Sequence, residues 1–241
     1  MSQMRLDKYL ADLGLGARRE LKSMIRSGHV RVNGKVETGA ETRVDPDRDG
    51  ISLDGKDLVW KAHRYYMMDK PEGVVTATED ARERTVLDLL PPELKQLGLF
   101  PVGRLDKDTS GLLLLTNDGN FAHRVISPKS CVEKRYYARV EGVPDDSDAA
   151  AFAEGIVLRD GTVCLPAKLE LLGGDEVIVT VTEGKYHQVR RMLASRGKPV
   201  LKLRRLSVGG LSLDPDLPPG SLKELEYQDL CTVLMEEGME K

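Results

Sequence analysis

The chain has 241 residues, of which 40% are apolar and 31% are charged, and its formal net charge is -3. This length and apolar content suffice for one large domain, or for a small domain joined to a larger one, and no apolar run is long enough for a membrane span. Residues 1–7 lack the apolar region of a secretory leader, and the three cysteines lack the spacing of a disulfide framework, so we expect a cytoplasmic protein. The cysteines and the four histidines also lack metal-ligand spacing, so we expect no zinc site.

The first 36 residues predict two short helices followed by a β-hairpin. Apolar side chains recur at the spacing of one helix face within residues 6–13, and the glycines that follow end this helix. A second helix is predicted from Ala17 to Ser27. Residues 30–36 alternate in polarity around Asn33-Gly34, a dipeptide typical of the two-residue hairpin turn.

The second helix and the hairpin are strongly basic. Residues 16–36 contain six basic residues and one acid, a charge run that by itself favours a solvated helical cap. The order of helix, short turn, basic helix and Val-Asn-Gly hairpin, however, resembles the S4 RNA-binding module. Many S4 modules have Ser where this chain has Ala17, so we expect a weaker N-terminal cap on the second helix. The resemblance implies an RNA-binding surface formed by Arg18, Arg19, Lys22, Arg26, Arg31 and Lys35.

A change in composition predicts the end of this module. Residues 45–57 are rich in Asp, Gly and Pro and contain one short strand-like segment, Ile51–Leu53. Such composition is typical of a linker. We therefore predict a boundary near Trp60, with an S4-like RNA-binding domain over residues 1–59 and a larger domain over residues 60–241.

The most informative segment is the polar loop Gly103–Gly111, which leads into four leucines and then an Asn-Asp-Gly turn. The leucines predict a short buried strand, although a buried helix segment gives the same signal. The loop then lies at the mouth of a core, where a nearby cation such as Arg104 keeps a carboxylate such as Asp106 ionised. A lone Asp-x-Asp-Thr is more often a surface turn.

The whole segment from Gly103 to Gly119 resembles the catalytic motif of the pseudouridine synthases that modify bacterial ribosomal RNA. The resemblance implies that Asp106 is the catalytic residue and that residues 60–241 form the catalytic domain. A Lys-Pro turn that the family also has corresponds to Lys70-Pro71, for which a structural role in the floor of the cleft is implied.

Two motifs of the C-terminal half extend the resemblance. The alternating strand that begins near Glu133 places the family's active-site tyrosine on Tyr136, although a register shift of one residue would select Tyr137 instead. The segment 183–194 changes from strand to helix and matches the family's third motif, in which the basic residue after Gln-Val, here Arg190, pairs with the catalytic aspartate. His187 has no partner at a recognisable spacing, so we do not expect it to take part in the chemistry.

The family resemblance covers almost the whole chain and is strongest for the RsuA-like branch, which acts on small-subunit ribosomal RNA. It implies that Asp106 acts as a nucleophile at C1′ or as a base on the sugar, with Arg190 keeping it ionised. Arg104 would take the place of the flipped-out base or bind phosphate, and Tyr136 would stack on the uracil. The eight basic residues and no acid between residues 184 and 213 fit phosphate contacts near such a cleft.

These motifs predict an α+β protein: a small α/β S4-like domain followed by a larger mixed, mostly antiparallel β-sheet pseudouridine synthase domain with flanking helices. The expected activity is isomerisation of one uridine of 16S ribosomal RNA, without cofactor or metal. The expected partner is ribosomal RNA, within an assembling small subunit and without a membrane, and we expect a monomer.

Three alternatives remain at this point. The substrate could be 23S ribosomal RNA. Asp106 and Asp108 could form the carboxylate pair of an RNA N-glycosylase, which would release the base rather than rejoin it. The chain could also be a non-catalytic S4-type ribosome assembly factor.

Overall fold

The computed structural model describes residues 3–235, which form two compact units. The first unit extends to Arg64 and includes residues 90–99, and the second contains residues 65–89 and the chain from residue 100 onward. Compared with the predicted domain over residues 1–59, the first unit contains five further residues, 60–64, and the separate segment 90–99. That segment contains the one-turn helix Pro92–Lys95.

The first unit combines three helices with six short strands. The helices are α1 (Leu6–Asp12) and α2 (Arg18–Arg26), and the helix Pro92–Lys95 is α3. The strands form a two-stranded sheet, β1-β4, and a four-stranded sheet in the order β3-β2-β5-β6. Their bounds are β1 (Met4–Arg5), β2 (Val30–Val32), β3 (Lys35–Val36), β4 (Arg43–Val44), β5 (Ile51–Leu53) and β6 (Lys56–Leu58).

The apolar face predicted for the two helices forms the core of this unit. Leu6, Leu10, Leu21 and Ile25 are all fully buried in one cluster. The first turn of α2 has half of a capping box, because Glu20 accepts a hydrogen bond from the backbone N–H of Ala17 while alanine offers no side-chain acceptor in return. The N-terminal cap of α2 is therefore weaker than one with serine at position 17, as expected.

The segment interpreted as a linker is instead part of the sheet, so that prediction is wrong. Strand β5 pairs with β2 on one side and with β6 on the other. Asp54 (φ 49°) and Gly55 (φ 80°) form the tight turn between β5 and β6. Asp54 and Gly55 therefore mark the turn of the β5–β6 hairpin, as Asn33 and Gly34 mark the turn of the β2–β3 hairpin.

The second unit is built on a nine-stranded sheet. Seven strands follow the order β11-β12-β10-β13-β9-β7-β15, with β14 paired to β13 and β8 paired to β9. The contact between β13 and β9 is parallel, and the other neighbouring strands of this order pair antiparallel. The bounds are β7 (Tyr65–Lys70), β8 (Phe100–Pro101), β9 (Thr109–Thr116), β10 (Lys134–Val140), β11 (Lys168–Gly173), β12 (Glu176–Val181), β13 (Val200–Val208), β14 (Leu211–Ser212) and β15 (Leu222–Glu224).

Four helices flank this sheet and enclose two apolar cores. One core packs Phe152 and Met192 against β10 and β12, and the other packs Phe121 and Val233 against β9. The helices are α4 (Gly119–Ile126), α5 (Asp146–Glu154), α6 (Gln188–Ser195) and α7 (Tyr227–Leu234), and two short 3-10 turns lie at Val86–Leu89 and Pro128–Ser130. Within residues 3–235, no helix has the length and apolarity needed to cross a bilayer. The fold is thus α+β with a mixed, mostly antiparallel sheet, as predicted.

The four leucines form the buried strand β9, whose eight residues are all buried. Strand β9 lies next to β13, and Gly111 allows the two backbones to approach closely. A Cβ atom at Gly111, where φ is 104°, would lie 2.2 Å from the carbonyl oxygen of Arg205. Only glycine fits this contact, which places the loop before β9 beside the middle of β13.

Candidate active site

The acidic loop between β8 and β9 is held from below by a buried lysine. Lys70, at the end of β7, is fully buried, and burial lowers its pKa from 10.5 to about 8. Its ammonium group donates hydrogen bonds to the carbonyl oxygens of Pro71 (3.1 Å), Asp106 (3.1 Å), Lys107 (3.3 Å) and Thr109 (2.9 Å). One side chain therefore holds the backbone of the loop that carries Asp106.

The side chain of Asp106 faces two basic groups from the N-terminal part of α6. Arg190 Nε lies 3.8 Å from Asp106 Oδ2, and His187 Nε2 lies 3.4 Å from Asp106 Oδ1. Arg190 also binds Asp108, because its Nη2 donates to the Asp108 carbonyl oxygen (3.0 Å) and lies 3.0 Å from Oδ2. The arginine thus bridges the two carboxylates that the sequence suggested as a pair.

The Nε group of Arg190 is unusual because it is buried and has no hydrogen-bond partner among residues 3–235. Its distance to Asp106 Oδ2, 3.8 Å, is too long for a hydrogen bond. An unsatisfied buried donor costs about 1–3 kcal/mol. A small movement of Asp106 towards Arg190 would satisfy this donor.

A buried glutamate fixes the start of α6. Burial opposes ionisation of Glu183, but hydrogen bonds from Lys185, from the Leu165 N–H (2.9 Å) and from Gln188 (2.8 Å) outweigh it and keep its pKa below the ordinary value. Gln188 also accepts a hydrogen bond from the backbone N–H of Lys185 (2.9 Å). The intervening His187 has a left-handed backbone (φ 48°), and this network holds the short loop that turns its ring towards Asp106.

Tyr136 lines the same cleft from strand β10. An arginine of β13, Arg205, lies beneath it, with the guanidinium carbon 6.0 Å from the ring centroid and Nη1 3.5 Å from the hydroxyl oxygen. Arg205 is itself buried and donates to the Leu112 carbonyl oxygen (2.7 Å). Tyr137 instead donates to Glu176 (2.6 Å), and of the two tyrosines only Tyr136 contributes to the lining of the cleft.

The cleft brings together Arg104, Asp106, Tyr136, His187 and Arg190. Its chemical content is one accessible carboxylate, cations on both sides of it and one aromatic ring. Such a set can attack or deprotonate a sugar, hold a phosphate and stack on a base.

The matches to known families agree with this geometry. The sequence model for RNA pseudouridylate synthases matches residues 64–195, and the one for S4 domains matches residues 4–49. The chain belongs to the RNA pseudouridylate synthase family. Its members are isomerases, so the predicted enzyme class and the predicted S4 module are confirmed. The pseudouridine synthase match includes Asp106, Tyr136 and Arg190.

Individual relatives match this pseudouridine synthase over nearly its full length. An uncharacterized RNA pseudouridine synthase of Bacillus subtilis is 44% identical over 94% of this chain and 97% of its own. Proteins named ribosomal small subunit pseudouridine synthase A, from Pseudomonas aeruginosa and Escherichia coli, are 42% and 38% identical, covering 95% and 96% of this chain and 100% of their own. A crystal structure of a pseudouridylate synthase matches with a TM-score of 0.67 and 34% identity, covering 95% of this chain and 99% of that one.

The S4 unit of the synthase presents the predicted cations to solvent. Arg18, Arg19 and Arg26 on α2 are exposed, as are Arg31 and Lys35 on the hairpin, whereas Lys22 is half-buried. Arg31 donates to the Gly34 carbonyl oxygen (3.0 Å), which orders its side chain along the hairpin. A surface of this kind can bind several phosphates at once.

Sequence reasoning missed several residues that shape the site of the synthase. His187 was set aside for want of a partner, yet it lies beside Asp106. Nothing in the sequence indicated that Arg205 lies beneath Tyr136 or that Glu183 anchors α6. For Lys70, in contrast, the family resemblance had implied a structural role in the floor of the cleft, and its hydrogen bonds hold the loop that carries Asp106.

Proposed function

We propose that this pseudouridine synthase converts one uridine of 16S ribosomal RNA to pseudouridine, in the cytoplasm, on an assembling small subunit. The arrangement of Asp106 between Arg190 and His187, in a cleft that Tyr136 also lines, carries the chemical part of the proposal. The choice of the small subunit is supported by the names of the relatives from Pseudomonas aeruginosa and Escherichia coli. We further propose that the enzyme acts as a monomer.

The reaction breaks the C1′–N1 bond, turns the uracil and joins C5 to C1′. The proton on C5 leaves and N1 gains one, so the RNA keeps its mass. Asp106 starts the reaction either by attacking C1′ or by removing a proton from the sugar, and both routes need its ionised form. Arg190 Nε and His187 Nε2 lie 3.8 Å and 3.4 Å from its two carboxylate oxygens.

The other residues of the cleft act on binding and orientation. The target uridine has to leave its stack to reach Asp106, which costs a few kcal/mol. Arg104 is exposed at the rim, where it takes the place of the flipped base or binds a phosphate. In this proposal Tyr136 stacks on the uracil and assists loss of the C5 proton, with Arg205 beneath its ring.

The S4 unit supplies affinity for the RNA backbone. Its cations Arg18, Arg19, Lys22, Arg26, Arg31 and Lys35 neutralise phosphates, so binding should weaken as salt rises. Phosphate contacts fix position without reading sequence. The choice of uridine therefore depends on the cleft and its rim together with the fold of the RNA.

The proposal is tested by mapping pseudouridine in RNA from a strain that lacks the protein. Ribosomal RNA is treated with a carbodiimide specific for pseudouridine, and stops of reverse transcription are compared with those of the parent strain. We expect one stop in 16S ribosomal RNA to disappear in the mutant strain. It should return with the wild-type protein and not with Asp106→Asn, whose amide keeps the shape but cannot ionise.

The other possible results identify the competing functions. A stop lost from 23S ribosomal RNA would refute the small-subunit assignment. An unchanged map with defective subunits would indicate an assembly factor, and release of free uracil would indicate a glycosylase. Recovery of the stop by Asp106→Asn would show that Asp106 does not carry the chemistry.

A further inference from the structure

An exposed aromatic ring lies next to the catalytic loop. The side chain of Tyr186 is 75% exposed and stacks face to face on His187, with 3.9 Å between ring centroids and 16° between planes. His187 in turn lies 3.4 Å from Asp106. The order from the reacting carboxylate outward is therefore Asp106, His187, Tyr186 and solvent.

The backbone that carries Tyr186 is held on both sides. Arg191 Nη1 donates to the Tyr186 carbonyl oxygen (3.4 Å), and Arg191 Nη2 forms a 2.6 Å ion pair with Asp160. On the other side, Lys185 is fixed by the Gln188 side chain (2.9 Å) and by Glu183. Since the inner face of the ring is covered by His187, only the outer face is free to bind.

The neighbouring loop adds apolar surface to this region. Val157, Val163 and Leu165 are 66%, 63% and 47% exposed, and the first two face each other across a short β-bridge. The loop is joined to the site by the Leu165 N–H hydrogen bond to Glu183 and by the ion pair of Asp160. An aromatic ring on which a base can stack, beside basic residues such as Lys185 and Arg191, is the combination that binds single-stranded nucleic acid.

We propose that the outer face of Tyr186 is a subsite for the nucleobase next to the target uridine in the RNA strand. This subsite rests on the proposed conversion of a flipped uridine. Flipping removes the stacking partner of the neighbouring base, and Tyr186 replaces that partner. Because the ring is already held by His187, little ordering is needed on binding. A stacked base raises affinity by about 5- to 150-fold, and any of the four bases can stack.

The test compares Tyr186→Ala with Tyr186→Phe, which keeps the ring and loses the hydroxyl. The probe is an RNA fragment that contains the mapped uridine, with 2-aminopurine in place of the base on its 5′ or its 3′ side. Binding is measured in the Asp106→Asn background, and conversion is measured in single turnovers with Asp106 intact. The matched control is Tyr227→Ala, which removes another exposed tyrosine, at the start of α7.

We expect Tyr186→Ala to bind the RNA about 5- to 150-fold more weakly, with Tyr186→Phe and the control close to wild type. The single-turnover rate at saturating RNA should change by less than about threefold in Tyr186→Phe and in the control. Fluorescence of 2-aminopurine on one side of the uridine should be quenched by the wild type and Tyr186→Phe, and not by Tyr186→Ala.

Three results would overturn the subsite: unchanged affinity of Tyr186→Ala, equal losses in the Ala and Phe variants, or a loss of maximal rate at unchanged affinity. The last result would mean that Tyr186 only supports His187. The test uses whichever RNA contains the mapped uridine, so a 23S substrate would refute the proposed function and leave the subsite to be decided by these measurements.

Discussion

Replacement of Lys70 by methionine tests how the catalytic loop is held. The side chain keeps its length but loses the ammonium group that binds four carbonyl oxygens. Two of these oxygens keep a backbone donor. The Thr109 N–H donates to the Asp106 carbonyl oxygen (3.1 Å), and the Gly73 N–H donates to the Lys107 carbonyl oxygen (2.8 Å). The carbonyl oxygens of Pro71 and Thr109 lose the lysine donor, at about 1–3 kcal/mol each.

The variant also regains free energy, because it no longer has to bury a charged lysine. Burial lowers the pKa of Lys70 from 10.5 to about 8, so keeping it charged near pH 7 costs roughly 3 kcal/mol. The two lost hydrogen bonds cost about 2–6 kcal/mol and the removed burial cost is roughly 3 kcal/mol, so Lys70→Met should lie between about 1 kcal/mol more stable and about 3 kcal/mol less stable than wild type near pH 7. Between the two pKa values the unfolded chain binds more protons than the folded one, so the wild type gains stability as pH rises. The destabilisation should therefore be larger by about 2 kcal/mol near pH 9.5.

Urea unfolding of both proteins at the two pH values measures this difference. The matched control is Lys107→Met, which removes an exposed lysine of the same loop, paired with Glu83 at 2.7 Å. Its effect should be below about 1 kcal/mol and equal at both pH values. If Lys70→Met lost the same stability at both pH values, the lysine would not have a lowered pKa in the folded protein. We also expect the variant to convert RNA about a hundredfold more slowly, because a misplaced loop misplaces Asp106.

Arg190→Met should lower the single-turnover rate about 10- to 100-fold. Arg190→Lys should lower this rate less, because lysine keeps the charge although it lacks the planar donors. Equal losses of rate in the two variants at saturating RNA would contradict a role of Arg190 beside Asp106. Replacing the exposed cations of α2 by glutamine should reduce the slope of log affinity against log salt by up to about 0.9 per lost phosphate contact. Arg48→Gln is the control. If the α2 variant and the control both kept the wild-type slope, α2 would not contact the RNA. Glu183→Gln should reduce the stability lost on acidification: the lowered pKa of Glu183 stabilises the fold above the ordinary glutamate pKa, and this contribution disappears as pH falls through the folded value. Urea unfolding from neutral to acidic pH measures this, and parallel curves for variant and wild type would exclude the effect.

Local patterns in the sequence predicted most of the secondary structure that positions the site. The leucines of β9, the alternation of β10 and the strand-to-helix change before α6 each have a clear period or turn signal. Family motifs then selected Asp106, Tyr136 and Arg190, which the structure brings to one cleft. Their roles remain predictions.

Contacts between segments far apart in the chain could not be predicted from the sequence. His187 reaches Asp106 because of a left-handed backbone at a non-glycine residue, which no composition signal marks. Arg205 reaches Tyr136 only through the pairing of β13 with β10. The error at residues 45–57 has another cause, since Asp and Gly are common both in linkers and in tight turns.

The close contact at Gly111 has a consequence for how enzymes of this architecture change their targets. The Arg205 atoms that a side chain at Gly111 would strike belong to the main chain. No exchange of neighbouring side chains can therefore make room for a bulkier residue there without moving the catalytic loop away from β13. Changes in RNA affinity are accessible instead through the proposed contacts of exposed positions such as Tyr186 and the α2 cations, where a substitution does not touch the main chain of β13.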